Sequence, residues 1–463
     1  MKIKREKRNN LMIPPVLIYL GIMLAFILIW FTLFKRPIYE ALFLSFVLLV
    51  GITNTWGHFW QFVDGAFSTG LLYSMIVFVA MSQLLTHTKI IDSCVYLIMA
   101  CFGRLTGGAG YASVIASSFM GALSGSGPGN VMATGVITIP AMKKAGFPAH
   151  LAANVESTSS YLGNMIPPSS NIVGAFGAFM ALYPDSDITI GKFWVVLWGI
   201  AIYFIIQRML MIWAFCRYYH VRPIAKEDLP SLKETFKTGW KGLLLPIVIL
   251  LPFVFDSACK PFVVSRLGEA GAKAFSKCLL FFIAGVAAIY AVIVIGKKKR
   301  PGISEVADMF TGKMKSLVGP IAACLFGYMI GKLFADIDAT ASLAEFLQNL
   351  HISKVGLAFL VPLITCALGL IIPGSSQVVI FGPVFIAAFT AAGSNPLFVA
   401  AMLPCICGVM CGITPPLALG MYAGMSIAES GFKETLINDL WWVAAQYILE
   451  VIMLLEVLPV IGL

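Results

Sequence analysis

Twice along this chain an apolar run too short to span a membrane ends in glycine, proline and serine, and a second short apolar run follows. The first is 110–123, then SGSGPGN (124–130), then 131–142; the second is 355–368, then GLIIPGSSQ (369–377), then 378–392. A spanning helix needs about 20 apolar residues, so neither arm crosses alone. Glycines and a proline at the tip break the helix, and the simplest path is a re-entrant hairpin. Past each hairpin lies an apolar element interrupted by paired prolines. The first, 149–182, is broken at NMIPPSSN (164–171), and the one after GSNP is broken at GITPP (412–416). Irregular backbone cannot face lipid, so both breaks must be buried or line a wet cavity.

Composition places the chain in a bilayer. Of 463 residues, 59% are hydrophobic and 12% charged, against roughly 25% charged in soluble domains. Continuous rather than alternating apolar runs exclude an outer-membrane barrel. The fold class expected is therefore an all-α polytopic membrane protein. Further apolar runs predict helices at about 13–34, 39–54, 69–86, 193–214, 243–257, 277–296, 317–335 and 438–460. The excess of Lys and Arg, 32 against 22 acids, reads as cation-rich cytoplasmic loops, so no nucleic-acid partner is expected. The run 13–34 is too long for the core of a cleavable signal. Cys405, Cys407 and Cys411 lie close together, but no His or second Cys pair completes a metal pattern, and helix packing accounts for them.

The two stretches hold one register. Pro168 and Pro416, Pro167 and Pro415, and Pro148 and Pro396 are each 248 residues apart; Gly146 and Gly393 are 247 apart, and Pro140 and Pro383 are 243 apart. This is an internal duplication, a mark of transporter architecture. The short segments 92–103 and 340–351 correspond as interfacial arms. Five crossings and one hairpin per half make the second half inverted relative to the first. The layout expected is scaffold helices in 1–86; arm, hairpin 1 and broken helix in 87–183; scaffold helices with a cytoplasmic amphipathic segment in 184–335; arm, hairpin 2 and broken helix in 336–430; and a final scaffold helix in 431–463. Basic loops 217–241 and 297–315 imply that hairpin 1 enters from the cytoplasmic face, although the basic tail MKIKREKR then lies outside. DLPSLKETFKTGW (228–240) carries Leu229, Leu232, Phe236 and Trp240 on one stripe, fitting a helix on the membrane surface.

A helix broken at mid-membrane leaves N–H groups open at one half and carbonyls at the other. The N–H end attracts carboxylates, and the carbonyls coordinate dehydrated cations such as Na⁺. Neutral ligands flank the breaks: Ser124, Ser126, Asn130, Asn164, Ser169, Ser170 and Asn171 in one half, Ser375, Ser376, Gln377 and Thr414 in the other. Hydroxyls and carbonyls suit Na⁺ better than a transition metal; close helix packing is the competing account of isolated small residues. Glu156, in NVESTSS, is an intramembrane carboxylate and hence a cation-ligand or proton-carrier candidate. The plainer reading puts it near the helix end, solvated or paired with Lys143 or Lys144. His150 takes the same plain reading. SGSGPGN lacks the Gly-Lys-Ser/Thr of a phosphate loop, and no catalytic set for an enzyme is found.

At these residues the sequence resembles a known family. GRLTGGAGYASVIASSFMGALSGSGPGNVMATGVITIPAMKKAGFP (103–148), VESTSSYLGNMIPP and CGITPPLALGMYAGMSIAES (411–430) are similar to the large membrane subunit of TRAP (tripartite ATP-independent periplasmic) transporters, over about residues 60–460. The resemblance implies an ion-transporter-superfamily fold, an elevator mechanism and Na⁺-driven uptake of organic acids across a bacterial inner membrane. It implies one Na⁺ site at Ser124, Ser126 and Gly163 and another at Gly369, Gly374, Gly412 and Thr414. Substrate is expected between the tips, at Ser126, Asn130, Asn164, Ser169, Ser170, Asn171, Ser375, Ser376 and Gln377. A small four-helix membrane subunit and a soluble substrate-binding protein are the partners implied; a chain working alone, as in divalent-anion/Na⁺ symporters, stays open. GLIIPGSSQ departs from the family's usual second tip. A channel is the alternative outside the transporters, since broken helices also build ion filters.

Overall fold

In the computed structural model, the described residues are chiefly 15–68, 90–124, 127–223, 231–295, 325–338, 353–369, 374–414 and 418–463. Every regular element among them is helical. The expected helix over 69–86, the second arm 340–351, the tail and the loop 297–315 lie largely outside the described residues. Four described helices, Ile190–Tyr218, Gly374–Ala391, Pro396–Ile413 and Phe432–Leu454, are long and apolar enough to cross a membrane.

The chain opens with α1 (Pro15–Thr32), α2 (Ile38–Thr53), α3 (Phe59–Phe67) and α4 (Ile90–Phe102). Next comes a helical hairpin, α5 (Gly108–Ser124) and α6 (Gly127–Lys144), whose arms pack on each other. The element after it is broken where the prolines predict: α7 (Ala149–Leu162), a tight 3₁₀ turn (Gly163–Met165), then α8 (Ser170–Leu182). α9 (Ile190–Tyr218), α10 (Leu232–Leu243) and α11 (Leu245–Ile295) follow. In α11 the structure corrects the sequence expectation. Residues 258–276, between the two apolar runs, are helical too, and the only interruption is Gly268 at φ 69°.

The chain continues with α12 (Lys354–Gly369) and α13 (Gly374–Ala391), then α14 (Pro396–Leu403), a π turn (Pro404–Val409), α15 (Met410–Ile413), α16 (Leu419–Ala428) and α17 (Phe432–Leu454). Local structure recurs at the sequence offset. Gly146 (φ 88°) and Gly393 (φ 90°) each end a return arm in the left-handed region that glycine tolerates. Around them the same bonds form: Phe147 N–H to Met142 O and Gly146 N–H to Lys143 O, both 3.0 Å, against Ser394 N–H to Phe389 O at 2.9 Å and Gly393 N–H to Thr390 O at 3.0 Å. Within the hairpins, Asn130 Nδ2 donates to Ser117 O at 2.7 Å and Gln377 Nε2 to Thr365 O at 3.2 Å.

The halves exchange elements. α16, beyond the second break, packs on α6 and α7; α8, beyond the first, packs on α13 and α14. α9 lies against α5 and α14, and α17 against α7, α12 and α15. The amphipathic helix α10 leaves Leu232, Phe236 and Trp240 exposed while packing on α4, where a Cβ on Gly239 would come within 2.8 Å of Ser93 O.

Candidate functional site

The first break meets the second broken element at its π turn, ahead of the second proline pair. The 3₁₀ turn 163–165 packs against the π turn 404–409. Two side chains of the first break reach Gly408: Asn164 Nδ2 donates to its carbonyl at 3.3 Å, and Asn171 Nδ2 lies 3.4 Å from where a Cβ on Gly408 would sit. Asn164 Oδ1 is buried with no hydrogen-bond partner among the described residues, an acceptor left over beside the π turn. Ser169 caps α8, accepting from Asn171 N–H at 3.4 Å, so the N-terminus of a 13-residue helix opens here.

Each hairpin lies on its own broken helix through glycine-enforced backbone contact. A Cβ on Gly163 would come 2.4 Å from Ala122 N, and one on Gly121 would come 2.3 Å from Ser160 O. In the second half a Cβ on Gly374 would lie 2.4 Å from Cys407 O, and one on Gly369 2.9 Å from Cys411 Sγ. Tyr161 joins the halves: its ring fills the space where Cβ atoms on Gly127, Gly412 and Gly420 would stand, at 2.4, 2.1 and 2.6 Å. Thr414 is buried with its hydroxyl donating to Met410 O at 2.6 Å and 3.4 Å from Cys366 Sγ.

The predicted residues therefore fall into groups. Gly163, Asn164, Ser169 and Asn171 gather at the first break, and Gly369, Gly374, Gly412 and Thr414 gather around the second. Asn130 is buried and directs its amide to Ser117 O and, at 2.9 Å, to Ser160 Oγ, fastening hairpin 1 to α7. Gln377 is buried in hairpin 2, Ser376 is buried and Ser375 is exposed. Ser126 and the side chains of Ser124 and Ser170 lie outside the described residues. A separate cleft, lined by Gly174, Gly177, Tyr328, Lys332 and Val379, sits between α8, α13 and residues 327–332.

Glu156 overturns its plainer reading. It is fully buried rather than solvated, and its described partners are five hydroxyls. Ser113 donates at 2.7 Å and Thr138 at 2.5 Å to Oε2; Ser117 at 2.8 Å, Ser160 at 3.2 Å and Thr134 donate to Oε1. Lys143 instead donates to Ala428 O at 2.8 Å. A carboxylate only accepts, and five donors from α5, α6 and α7 match that need. The carboxylate thus pins both hairpin arms to the broken helix.

Sequence reasoning missed this cage although its signal was present. Ser113 and Ser117, Thr134 and Thr138, and Glu156 and Ser160 are three pairs spaced four apart, each on one helical face. It also missed a second buried cluster. On α17, Asp439, Trp442, Gln446 and Glu450 follow a helical stripe, all buried, opposite Arg208 of α9. Arg208 Nη2 donates to Gln446 Oε1 at 2.7 Å, and Gln446 Nε2 donates to Glu450 Oε1 at 2.7 Å and to Cys405 Sγ at 3.1 Å.

The model of the DctM component of the tripartite ATP-independent periplasmic transporters matches residues 13–459. The C4-dicarboxylate TRAP transporter large permease protein DctM of Rhodobacter capsulatus is 26% identical over 396 residues, covering 83% of this chain and 84% of that protein. The 2,3-diketo-L-gulonate TRAP transporter large permease protein YiaN of Escherichia coli is 24% identical, covering 84% and 85%. Among solved structures, MtrF of Neisseria gonorrhoeae, described with a class of antimetabolite efflux pumps, superposes with a TM-score of 0.64 at 16% identity, over 87% of this chain and 84% of that one. This likeness is one of fold.

Proposed function

We propose, from the premise that this chain belongs to the DctM family of tripartite ATP-independent periplasmic transporters, that it carries a small organic acid through a bacterial inner membrane, driven by Na⁺. The family is one of multi-pass membrane transporters, not enzymes. The observation that supports the finer reading is the meeting of the first helix break with the π turn of the second broken element, where Asn164, Asn171 and Gly408 converge and one buried amide oxygen is unpaired among the described residues. The N-terminus of α8 offers N–H groups to a carboxylate. The Gly163 carbonyl, which accepts from Ile166 N–H at 3.1 Å and keeps a second lone pair, and Thr414 Oγ1 are the oxygens we assign to Na⁺. Bound cations offset the cost of taking an anion into low dielectric.

In this reading the halves are inverted repeats, and the hairpins and broken helices move as one body against the remaining helices. Both α9 and α17 pack on hairpin-bearing elements, so we place them with the moving body rather than in the scaffold ranges 184–335 and 431–463 that the sequence suggested. The relatives' names, a C4-dicarboxylate and a diketogulonate permease, support a carboxylate substrate. The family description, one component of a tripartite assembly, supports a small membrane subunit and a soluble binding protein as partners.

The test is uptake into vesicles holding the purified chain, with a panel of labelled organic acids under imposed Na⁺ or H⁺ gradients, each with and without a candidate small subunit and binding protein. Saturable accumulation that collapses with the Na⁺ gradient is expected. Ohmic currents without accumulation would make the chain a channel instead.

A further inference from the structure

The stripe on α17 holds more ionisable groups than its one buried cation can balance. Arg208, Asp439 and Glu450 are each fully buried between apolar helices. Arg208 is joined to Glu450 through the Gln446 amide, both links at 2.7 Å, and its Nη1 donates to Gln207 Oε1. Cys405 Sγ adds a weak donor to Glu450 Oε1 at 3.4 Å. Among the described residues none donates to Asp439: both its carboxyl oxygens are buried without a hydrogen-bond partner there, as are Glu450 Oε2 and Arg208 Nε. Asp439 nevertheless lies within electrostatic reach of Arg208.

The contrast with Glu156 is direct. Where this protein buries a carboxylate as an anion acceptor, it aims five hydroxyls at it; Asp439 has none. One guanidinium neutralises one carboxylate, and a second buried anion with no donors is expensive in a medium of low dielectric. The group then takes up a proton instead. We propose that Asp439 is a proton-binding site, and that the cluster is neutral only while one proton sits on an Asp439 oxygen, with Arg208 and Glu450 forming the charged pair. The proton comes from water on whichever face the body opens to and returns there as an O–H bond breaks; nothing is oxidised or reduced. The other groups facing this helix are Cys366 on α12 and Cys407 on the π turn, near Glu450, and His150 on α7, 3.8 Å from Glu434 at the start of α17 and 3.2 Å from the Tyr219 hydroxyl. Asp439 is beyond the first turn of α17, where Glu434 stands exposed. The idea rests on the transporter reading for its consequence: with the proton gone, the moving body carries a bare charge and stalls.

The purified full-length protein in lipid is the sample, and infrared difference spectra at neutral pH are the readout. The wild type should show the C=O stretch of a protonated carboxyl that disappears in Asp439→Asn. It should also disappear in Glu450→Gln, because Asp439 is then the only anion available to Arg208; a merely structural role for Asp439 would leave the band in that variant. No band in the wild type, or a band that survives in both variants, overturns the proposal. Vesicle uptake of labelled succinate supplies the second arm. Wild-type uptake should fall with rising pH, about tenfold per pH unit beyond the midpoint for one proton, and Asp439→Asn should be flat. Identical pH profiles would also overturn it. A protein that shows the band but accumulates no acid would contradict the transport reading and leave the proton site standing.

Discussion

Single side chains hold this molecule together in two opposite ways. Around Glu156, hydroxyls converge on an acceptor, so replacing it exposes what each has as an alternative. Thr134 can turn to Asn130 O at 2.9 Å and Thr138 to Thr134 O at 3.2 Å, whereas Ser113 has no other described acceptor. Glu156→Ala should therefore cost about 3 kcal/mol, from the cavity and the orphaned donors. Glu156→Gln keeps the shape and one acceptor oxygen and should cost about 1 kcal/mol. Thermal unfolding in detergent, followed by tryptophan fluorescence, separates the two; equal losses would contradict the cage. Tyr161 works by filling space. Gly412→Ala sets a Cβ 2.1 Å from Tyr161 Cδ1 and should destabilise by about 2 kcal/mol through overpacking. Combined with Tyr161→Ala, the losses should fall short of their sum, because the second change removes the clash.

At the level of elements, glycines mark where one backbone lies on another. The Cys407 carbonyl cannot yield 2.4 Å from a new Cβ, so Gly374→Ala should displace hairpin 2 and abolish uptake while the protein still reaches the membrane. Thr414→Ala should leave the fold intact and weaken the dependence of uptake on Na⁺; unchanged Na⁺ activation would remove Thr414 from the cation site. The breaks at 164–171 and 412–416 were legible because proline pairs strip helix donors. The π turn at 404–409 was not, since Pro404 is followed by residues that suit an unbroken helix. Neither was the stripe Asp439–Trp442–Gln446–Glu450, whose polar members are diluted among apolar neighbours until a partner, Arg208, some 240 residues earlier in the chain, is brought opposite. The helical stretch 258–276 was hidden for the converse reason: its charges and Gly268 interrupt the apolar pattern, yet helix continues on both sides of that glycine.

Across the whole molecule, the proline and glycine offsets are accompanied by alike turns at Gly146 and Gly393 and alike arm contacts at Asn130 and Gln377. The sequence could not show that the halves trade elements, α16 onto α6 and α7, α8 onto α13 and α14; such packing joins residues far apart in the chain and leaves no local pattern. Trading of this kind brings the first break against the π turn of the second broken element, and the proposed function depends on the two hairpins entering from opposite sides of the membrane. Single cysteines at the tips, Ser126→Cys and Ser375→Cys, test this most directly when labelled by an impermeant maleimide in right-side-out and inside-out vesicles. The account predicts that Ser126→Cys reacts from the cytoplasmic face and Ser375→Cys from the external face. Labelling of both from the same face would contradict it.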